Sequence, residues 1–370
     1  MRVHQFIDQL PEAPDPEVGL VLVFAPPDGF SGRAAALRRA FPSAAIAGCS
    51  DAGIIAGERV DDFGLVATAI RFDRTRARLA RGEVGAQPGG SEQAGRAIAE
   101  ELAGEGLRHV LVFADGLCVN GSALAAGMQA RLPPGVAVTG GLAGDGPRFT
   151  RTRVYHDTDV LDRSVVAVGL YGDSLRVGFG SQGGWEPFGP ERLITASRGN
   201  VLLSLDGQPA LELYKRYLGE LADQLPAAGL KFPLALRGSG EQRDEGIVRT
   251  ILSVDERDGS MTFAGDMPEG AYARLMRADF EALIDGAEGA AGRSSLKDQE
   301  AELALLISCV GRRLVLGQIV EEEVDAVRQT LGPKPTLCGF YSYGEIAPHH
   351  GGGPCRLHNQ TMTITTLSEA

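Results

Sequence analysis

An α/β N-terminal domain built from two duplicated β-α-β-β units, followed by an α+β C-terminal domain, is the fold class that three features of this sequence predict. These are apolar runs that do not alternate, glycine-rich corners that follow them, and the recurrence of both in the same order. Val21-Leu22-Val23-Phe24-Ala25 is repeated letter for letter by Val110-Leu111-Val112-Phe113-Ala114. A strand covered on both faces reads as such a continuous run, whereas a half-solvated strand alternates.

The elements follow in parallel. Each run leads into an Asp-Gly pair, Asp28-Gly29 and Asp115-Gly116. A helix comes next, opened by a serine able to cap it: Ser31 ahead of Leu37 and Phe41, Ser122 ahead of Leu124, Met128 and Leu132. A short apolar strand then enters a glycine corner, AIAGCSDAG at 45–53 and VAVTGGLAGDG at 136–146, and a further strand closes each unit, LVATAI at 65–70 and VVAVGL at 165–170. The units span about 18–88 and 107–180 inside a domain placed at 1–208. Between them SEQAGRAIAEEL, 91–102, carries Ala94, Ile98 and Leu102 at helical spacing. Trp185, the only tryptophan, sits in a Gly/Pro loop and is expected to cap the core.

The C-terminal domain is placed at 209–370. Pro209 opens a helix with Leu211, Tyr214, Leu218 and Leu221 along one stripe, and DERDG at 255–259 turns a hairpin between apolar runs. A buried strand, 304–310, runs into Arg312 and Arg313. Glu321, Glu322 and Glu323 start a helix with Val320, Val324, Val327 and Leu331 inward; the three carboxylates suit the positive helix end and read as a solvated face.

Composition narrows the function. The 370 residues suffice for two domains, and 50 glycines imply many tight turns and bare backbone loops. A net charge of −12 opposes nucleic acid and anionic membranes as partners. Five irregularly spaced cysteines suggest reduced thiols, and neither a leader nor a membrane-spanning run is evident; a cytoplasmic protein is expected.

Candidate ligand-binding residues cluster in two places. The glycine corners contribute Gly48, Cys49, Ser50, Gly140, Gly141 and Asp145, with Asp115 and Asn120 at the second helix entry. The stretch CGFYSYGEIAPHHGGGPCRLHNQTMTITTLSE, 338–369, contributes Tyr341, Tyr343, Glu345, His358 and Asn359. If 341–345 is one strand, Tyr341, Tyr343 and Glu345 share a face, which the corners then oppose across a pocket. Glu345 would hold an ammonium and an arginine such as Arg312 a carboxylate. The plainer reading has the tyrosines filling the core while Glu345 and His358 tie loops. Two other classes remain open: a Cys49-dependent enzyme, or a metal module using His349, His350, Cys355 and His358. No catalytic activity, metal or cofactor is expected.

GCSDAGIIAGERV at 48–60, GGLAGD at 140–145, the Gly184-Trp185 pair, LDGQPAL at 205–211, SCVGRR at 308–313, GFYSYGEIAP at 339–348 and HNQTMTITTLSE at 358–369 resemble, in order, blocks of the FIST family of prokaryotic sensory proteins. The resemblance covers about 20–369. It implies a cytosolic signal-input module for a small ligand such as an amino acid or derivative, with output passing to a separate partner protein. It carries over no catalytic residue.

Overall fold

A computed structural model describes residues 1–62, 64–85, 87, 89–238, 247–348 and 353–370. The chain is mixed α/β, and three of its sheets share one plan. In the first, Leu20–Phe24 runs parallel to Ala45–Cys49 through the helix Ala34–Ala40, and Val66–Arg71 lies antiparallel on the other side. In the second, Leu107–Ala114 runs parallel to Ala137–Leu142 through the helix Gly121–Gln129, flanked by antiparallel Ser164–Tyr171. The third pairs Leu303–Cys309 with Thr336–Ser342 in parallel, across the helices Val310–Leu316 and Glu321–Leu331, and adds Met362–Glu369 antiparallel.

Each sheet is completed by a hairpin from another part of the chain. Val154–His156 and Asp159–Leu161 extend the first sheet beside Ala45–Cys49. Gly344–Pro348 and Cys355–His358 extend the second beside Ala137–Leu142. Ile54–Ala56 and Arg59–Asp61 extend the third beside Thr336–Ser342. The hairpins thus exchange cyclically, and the chain's two ends are woven into one core.

The unalternating runs follow from this layering. Leu20, Leu22 and Phe24 join Leu111, Phe113, Leu303, Leu305, Ile307 and Phe340 in one buried cluster drawn from all three sheets. Phe24 stacks on Phe340 at 4.8 Å between ring centroids and meets Phe113 edge-on at 5.9 Å. The alternate residues Val21 and Val23 pack with Leu37 of the covering helix. Both faces of the strand are therefore dry, and both select apolar side chains.

A fourth sheet branches from this core. Its order is Ile247–Arg249, Leu234–Arg237, Tyr272–Ala278, Trp185–Arg198, Val201–Leu205, Ser260–Phe263 and Ile251–Asp255. Strands on both sides of residue 208 take part, and Ser204 pairs with Pro209. The DERDG hairpin is formed between Ile251–Asp255 and Ser260–Phe263.

Several expectations need correcting. Neither serine caps its helix: Ala34–Ala40 follows Arg33 with no side-chain cap, and Gly121–Gln129 is capped by Asn120, whose side chain accepts from Ala123 N. Asn is as good an N-cap as Ser. Leu221 lies in the 3-10 segment Gly219–Gln224, past the helix Ala210–Leu218, and is exposed. Of the three glutamates, Glu323 is fully buried, so that run is not a solvated face throughout.

Candidate ligand-binding cleft

The 341–345 segment is not one strand. Thr336–Ser342 ends in the third sheet, Gly344–Pro348 begins in the second, and Tyr343 is the crossing point. The three side chains accordingly go three ways. Tyr341 donates its hydroxyl to Glu323 Oε1 at 2.6 Å, Tyr343 donates to Asp145, and Glu345 accepts from Ser342 Oγ at 2.6 Å and from Thr361 Oγ1 at 2.9 Å. A shared face is excluded because the backbone changes sheets midway.

The motif and the glycine corners do meet, as directly paired backbone. Glu345 is the register partner of Gly141, and Tyr341 exchanges backbone hydrogen bonds with Ala52 and Gly53. A Cβ on Gly48 would lie 1.7 Å from Val23 O, and one on Gly140 1.9 Å from Val112 O; these glycines serve strand contact. Gly141 is closed off by Ile307 Cγ2, 2.8 Å from its ideal Cβ. Cys49, the residue of the open enzyme alternative, is fully buried and its thiol is pushed well up by burial.

The other candidates are also engaged within the protein. Ser50 Oγ donates to Gly144 O at 2.7 Å. Asp115 accepts from Leu117 N, Cys118 N, Thr152 Oγ1 and Arg163 N. Asp145 accepts from the backbone of Phe149, Thr150 and Arg151; its carboxyl is held low by Tyr343 and these donors despite burial. Asn120 caps its helix and donates to Asp266 Oδ1 at 3.1 Å, and Asn359 is buried beside Tyr343 O. Arg312, expected to face a ligand, is fully buried: it pairs with Glu323 at 2.8 Å and donates to Gly183 O and Leu283 O. A guanidinium satisfied by a carboxylate and two carbonyls has little left to offer a ligand.

His358 is different. It lines a cleft of about 460 Å³ between the fourth sheet and the core, together with Thr361, Trp185, Met276, Arg237 and Arg274. Gly183-Gly184 leads into this wall. Gly184 has φ +115, and a Cβ there would lie 2.0 Å from Ala282 O, so the loop lies directly on the helix Phe280–Ser294. Trp185 therefore both caps the core, at 9% exposure, and walls the cleft; its Nε1–H donates to Gln360 O at 2.8 Å.

Along the same strand as the tryptophan, Pro187 pairs with Met276 and Glu191 with Arg274 on the neighbouring strand, and all four line the cleft. Arg237 holds Glu191 in a two-point ion pair, Nη2 to Oε2 at 2.7 Å and Nε to Oε1 at 3.0 Å, which lowers the carboxyl. Arg274 Nε donates to Gly189 O at 2.9 Å, and Arg293, also on the lining, to Ser181 O at 3.1 Å. Among the described residues, three arginines and a histidine thus line the cleft with one carboxylate, in a protein of net charge −12. Beneath them Thr361 seals Glu345, whose carboxyl is pushed up to about 8 by burial against the pull of its hydrogen bonds and of Arg312.

Sequence reasoning missed Arg237, Arg274, Met276 and Thr361. A readable signal existed in YARLMRA: Arg274 and Met276 fall two apart on one face of the strand Tyr272–Ala278. Of the metal candidates, His349 and His350 lie outside the described residues, Cys355 points its thiol to Val138 O, and His358 Nε2 lies 3.1 Å from Ala347 O. Among the described residues no cluster of three His, Cys, Asp or Glu is arranged for a metal ion.

The sequence blocks are matched by family models. Residues 19–208 match the FIST N domain and residues 210–348 the FIST C domain. The chain belongs to the FIST family. FIST domains are sensory domains of signal transduction. An uncharacterized protein of Mycobacterium tuberculosis is 29% identical over 241 residues, covering 62% of this FIST protein and 61% of the relative. One from Methanocaldococcus jannaschii is 26% identical over 238 residues, covering 57% and 45%. The chain thus matches about three fifths or less of the length of these relatives. Among solved structures, a chorismatase aligns over 100% of this chain and 98% of its own at 12% identity, with a TM-score of 0.34, too low to carry an argument. Among the described residues no helix is long and apolar enough to cross a membrane.

Proposed function

We propose that this FIST protein is a sensor that binds a small ligand, an amino acid or a derivative of one, in the cleft walled by Trp185, and signals to a separate output protein. The observation that carries this reading is the convergence of Arg237, Arg274 and His358 opposite Glu191 beside an apolar wall of Trp185, Pro187 and Met276. A ligand carboxylate suits the arginine side, an ammonium suits Glu191, and an apolar body suits the tryptophan. The cleft's cationic lining raises the local concentration of anions in an otherwise acidic protein.

The reading is of a binding protein rather than an enzyme, and its support is that Cys49, Cys309, Cys338 and Cys355 are buried thiols raised by desolvation. Five free cysteines also favour a reducing, cytoplasmic setting. We further read the strand–helix–strand–strand pattern shared by the first two sheets as an internal duplication, organised as a FIST N-like domain, 1–208, and a FIST C-like domain, 209–370.

The test is thermal unfolding across a panel of amino acids, their N-acyl and keto derivatives, and nucleotides. A ligand at about 100 times its Kd adds about 2.7 kcal/mol to stability. Arg274→Met is expected to abolish the shift. A panel that leaves the midpoint unmoved, or a shift that persists in Arg274→Met, defeats the assignment.

A further inference from the structure

A second cavity, of about 680 Å³, lies on the other side of the strand pair Leu234–Arg237 and Ile247–Arg249. Leu236 and Ile247 line both spaces. Its remaining walls come from the helix Gly121–Gln129, the strand Cys355–His358, and Asp266.

The feature that demands an explanation is Arg249. Its side chain lines the cavity, yet the residue is only 6% exposed. Among the described residues its hydrogen bonds all go to backbone carbonyls: Nη1 to Leu357 O at 3.1 Å and Val248 O at 3.4 Å, Nε to Asp266 O at 3.3 Å. Among the same residues no carboxylate lies within ion-pair distance of it, and none of these bonds comes from Nη2. The carboxylate of Asp266 acts at longer range and is itself bonded to Asn120 Nδ2. Burial lowers the guanidinium to about 10, with Arg356 pushing the same way. A buried guanidinium with no carboxylate in ion-pair contact among the described residues is costly, and an anion in the adjoining cavity would offset that cost.

Two further observations point into the same space. Ser122 Oγ, on the cavity wall, is buried without a hydrogen-bond partner among the described residues. Gly265 leaves room for the guanidinium: a Cβ there would be 2.8 Å from Nε and 2.9 Å from Cζ of Arg249. The rest of the lining includes Ala126, Ala130, Pro268, Ala271 and Leu357. We propose that this cavity is a second ligand site, for a small monocarboxylate with an apolar body, its carboxylate held by Arg249 and Ser122. The site is separate from the Trp185 cleft and does not rest on that cleft's assignment.

Isothermal titration of the full chain with hexanoate and phenylacetate, with hexanol, hexylamine and inorganic phosphate as controls, tests the proposal. Both carboxylates are expected to bind the wild-type protein and the controls are not. Arg249→Met and Ala126→Phe should each weaken carboxylate binding by about tenfold or more, about 1.4 kcal/mol. Arg274→Met, in the other cleft, should leave it within about twofold. Absence of binding at millimolar carboxylate overturns the site, as does tighter binding of phosphate or hexanol. Undiminished binding in Ala126→Phe also overturns it, and that variant carries the test alone if Arg249→Met does not fold. Loss in Arg274→Met with retention in Arg249→Met assigns the carboxylate to the Trp185 cleft and refutes the second site.

Discussion

Replacing Glu345 by Gln should make the protein more stable above neutral pH and remove a component of its pH dependence. Glu345 is fully buried and its carboxyl is raised from 4.5 to about 8, burial being the dominant cause. In the unfolded chain the group ionises near its ordinary value, so between about pH 4.5 and 8 the folded state binds the extra proton. Stability from this group is therefore fully present below the unfolded pKa and is lost as pH rises through about 8. A gap of one pH unit between the folded and unfolded ionisations corresponds to about 1.4 kcal/mol, so the full swing is on the order of 5 kcal/mol.

Glutamine has the shape of the protonated acid. Its carbonyl can accept from Thr361 N and Oγ1, as Oε2 does, while its amide faces Ser342, whose hydroxyl rotates to accept. The charged and titratable groups coupled to Glu345 include Arg312 and Cys309, and His358 is its cross-strand register partner. Urea unfolding of both proteins at pH 5, 7 and 9 isolates the effect, because the similarly raised Asp51, about 7, cancels in the difference. The expected result is near equality at pH 5 and a Gln variant more stable by several kcal/mol at pH 9. Parallel stability curves would show that Glu345 titrates near its unfolded value, and the burial argument would fail.

Three more expectations follow from the same packing. Arg312→Met or Glu323→Gln, each stranding one half of a fully buried pair, should cost about 3–5 kcal/mol in urea unfolding, while Arg312→Met with Glu323→Leu recovers much of it; equal losses in single and double variants would contradict this. Gly48→Ala, whose Cβ meets Val23 O at 1.7 Å, should cost on the order of 3 kcal/mol or prevent folding, whereas Gly57→Ala, with open space around it at φ +60, should cost about 1 kcal/mol; calorimetric midpoints rank the two. Native iodoacetamide labelling read by intact mass should give one adduct, on exposed Cys118, with Cys49 protected until the protein unfolds.

The parts of this fold that can be read from the sequence are those whose cause is local. The runs at 21–25 and 110–114 announce strands because both faces are dry, and the Asp-Gly turn at 258–259 announces its hairpin. The hairpin exchange is hidden because three-residue strands such as Ile54–Ala56 find their partner, Thr336–Ser342, nearly three hundred residues away. Glu323 is masked by its charged neighbours, although Val320, Glu323, Val324 and Val327 follow the i, i+3, i+4, i+7 spacing of an inward stripe. Of the cleft arginines only Arg274 carries a sequence signal, its period-two spacing with Met276 on one strand, and what makes them a group is the packing of the fourth sheet on the core.

The polar richness of 338–348 follows from the same architecture. Gly48 pairs with Val23, Gly140 with Val112 and Gly339 with Leu306, and a Cβ on each would meet the facing carbonyl oxygen at 1.7, 1.9 and 1.8 Å. The tyrosine-rich stretch is thus a third corner, equivalent in position to the two glycine corners. The corners bond in a closed ring: Ala52 N to Tyr341 O, Tyr343 N to Leu142 O, and Gly144 N to Ser50 O. A chain leaving one sheet for another must satisfy its backbone groups away from solvent. Tyr341 and Tyr343, with Glu323 and Asp145 as acceptors, bring polar side chains into that buried crossing. The density of polar chemistry in this stretch thereby acquires a structural cause. The proposed ligand recognition falls instead to the residues after it, where His358 and Thr361 leave the ring and meet Trp185 and the arginines of the fourth sheet.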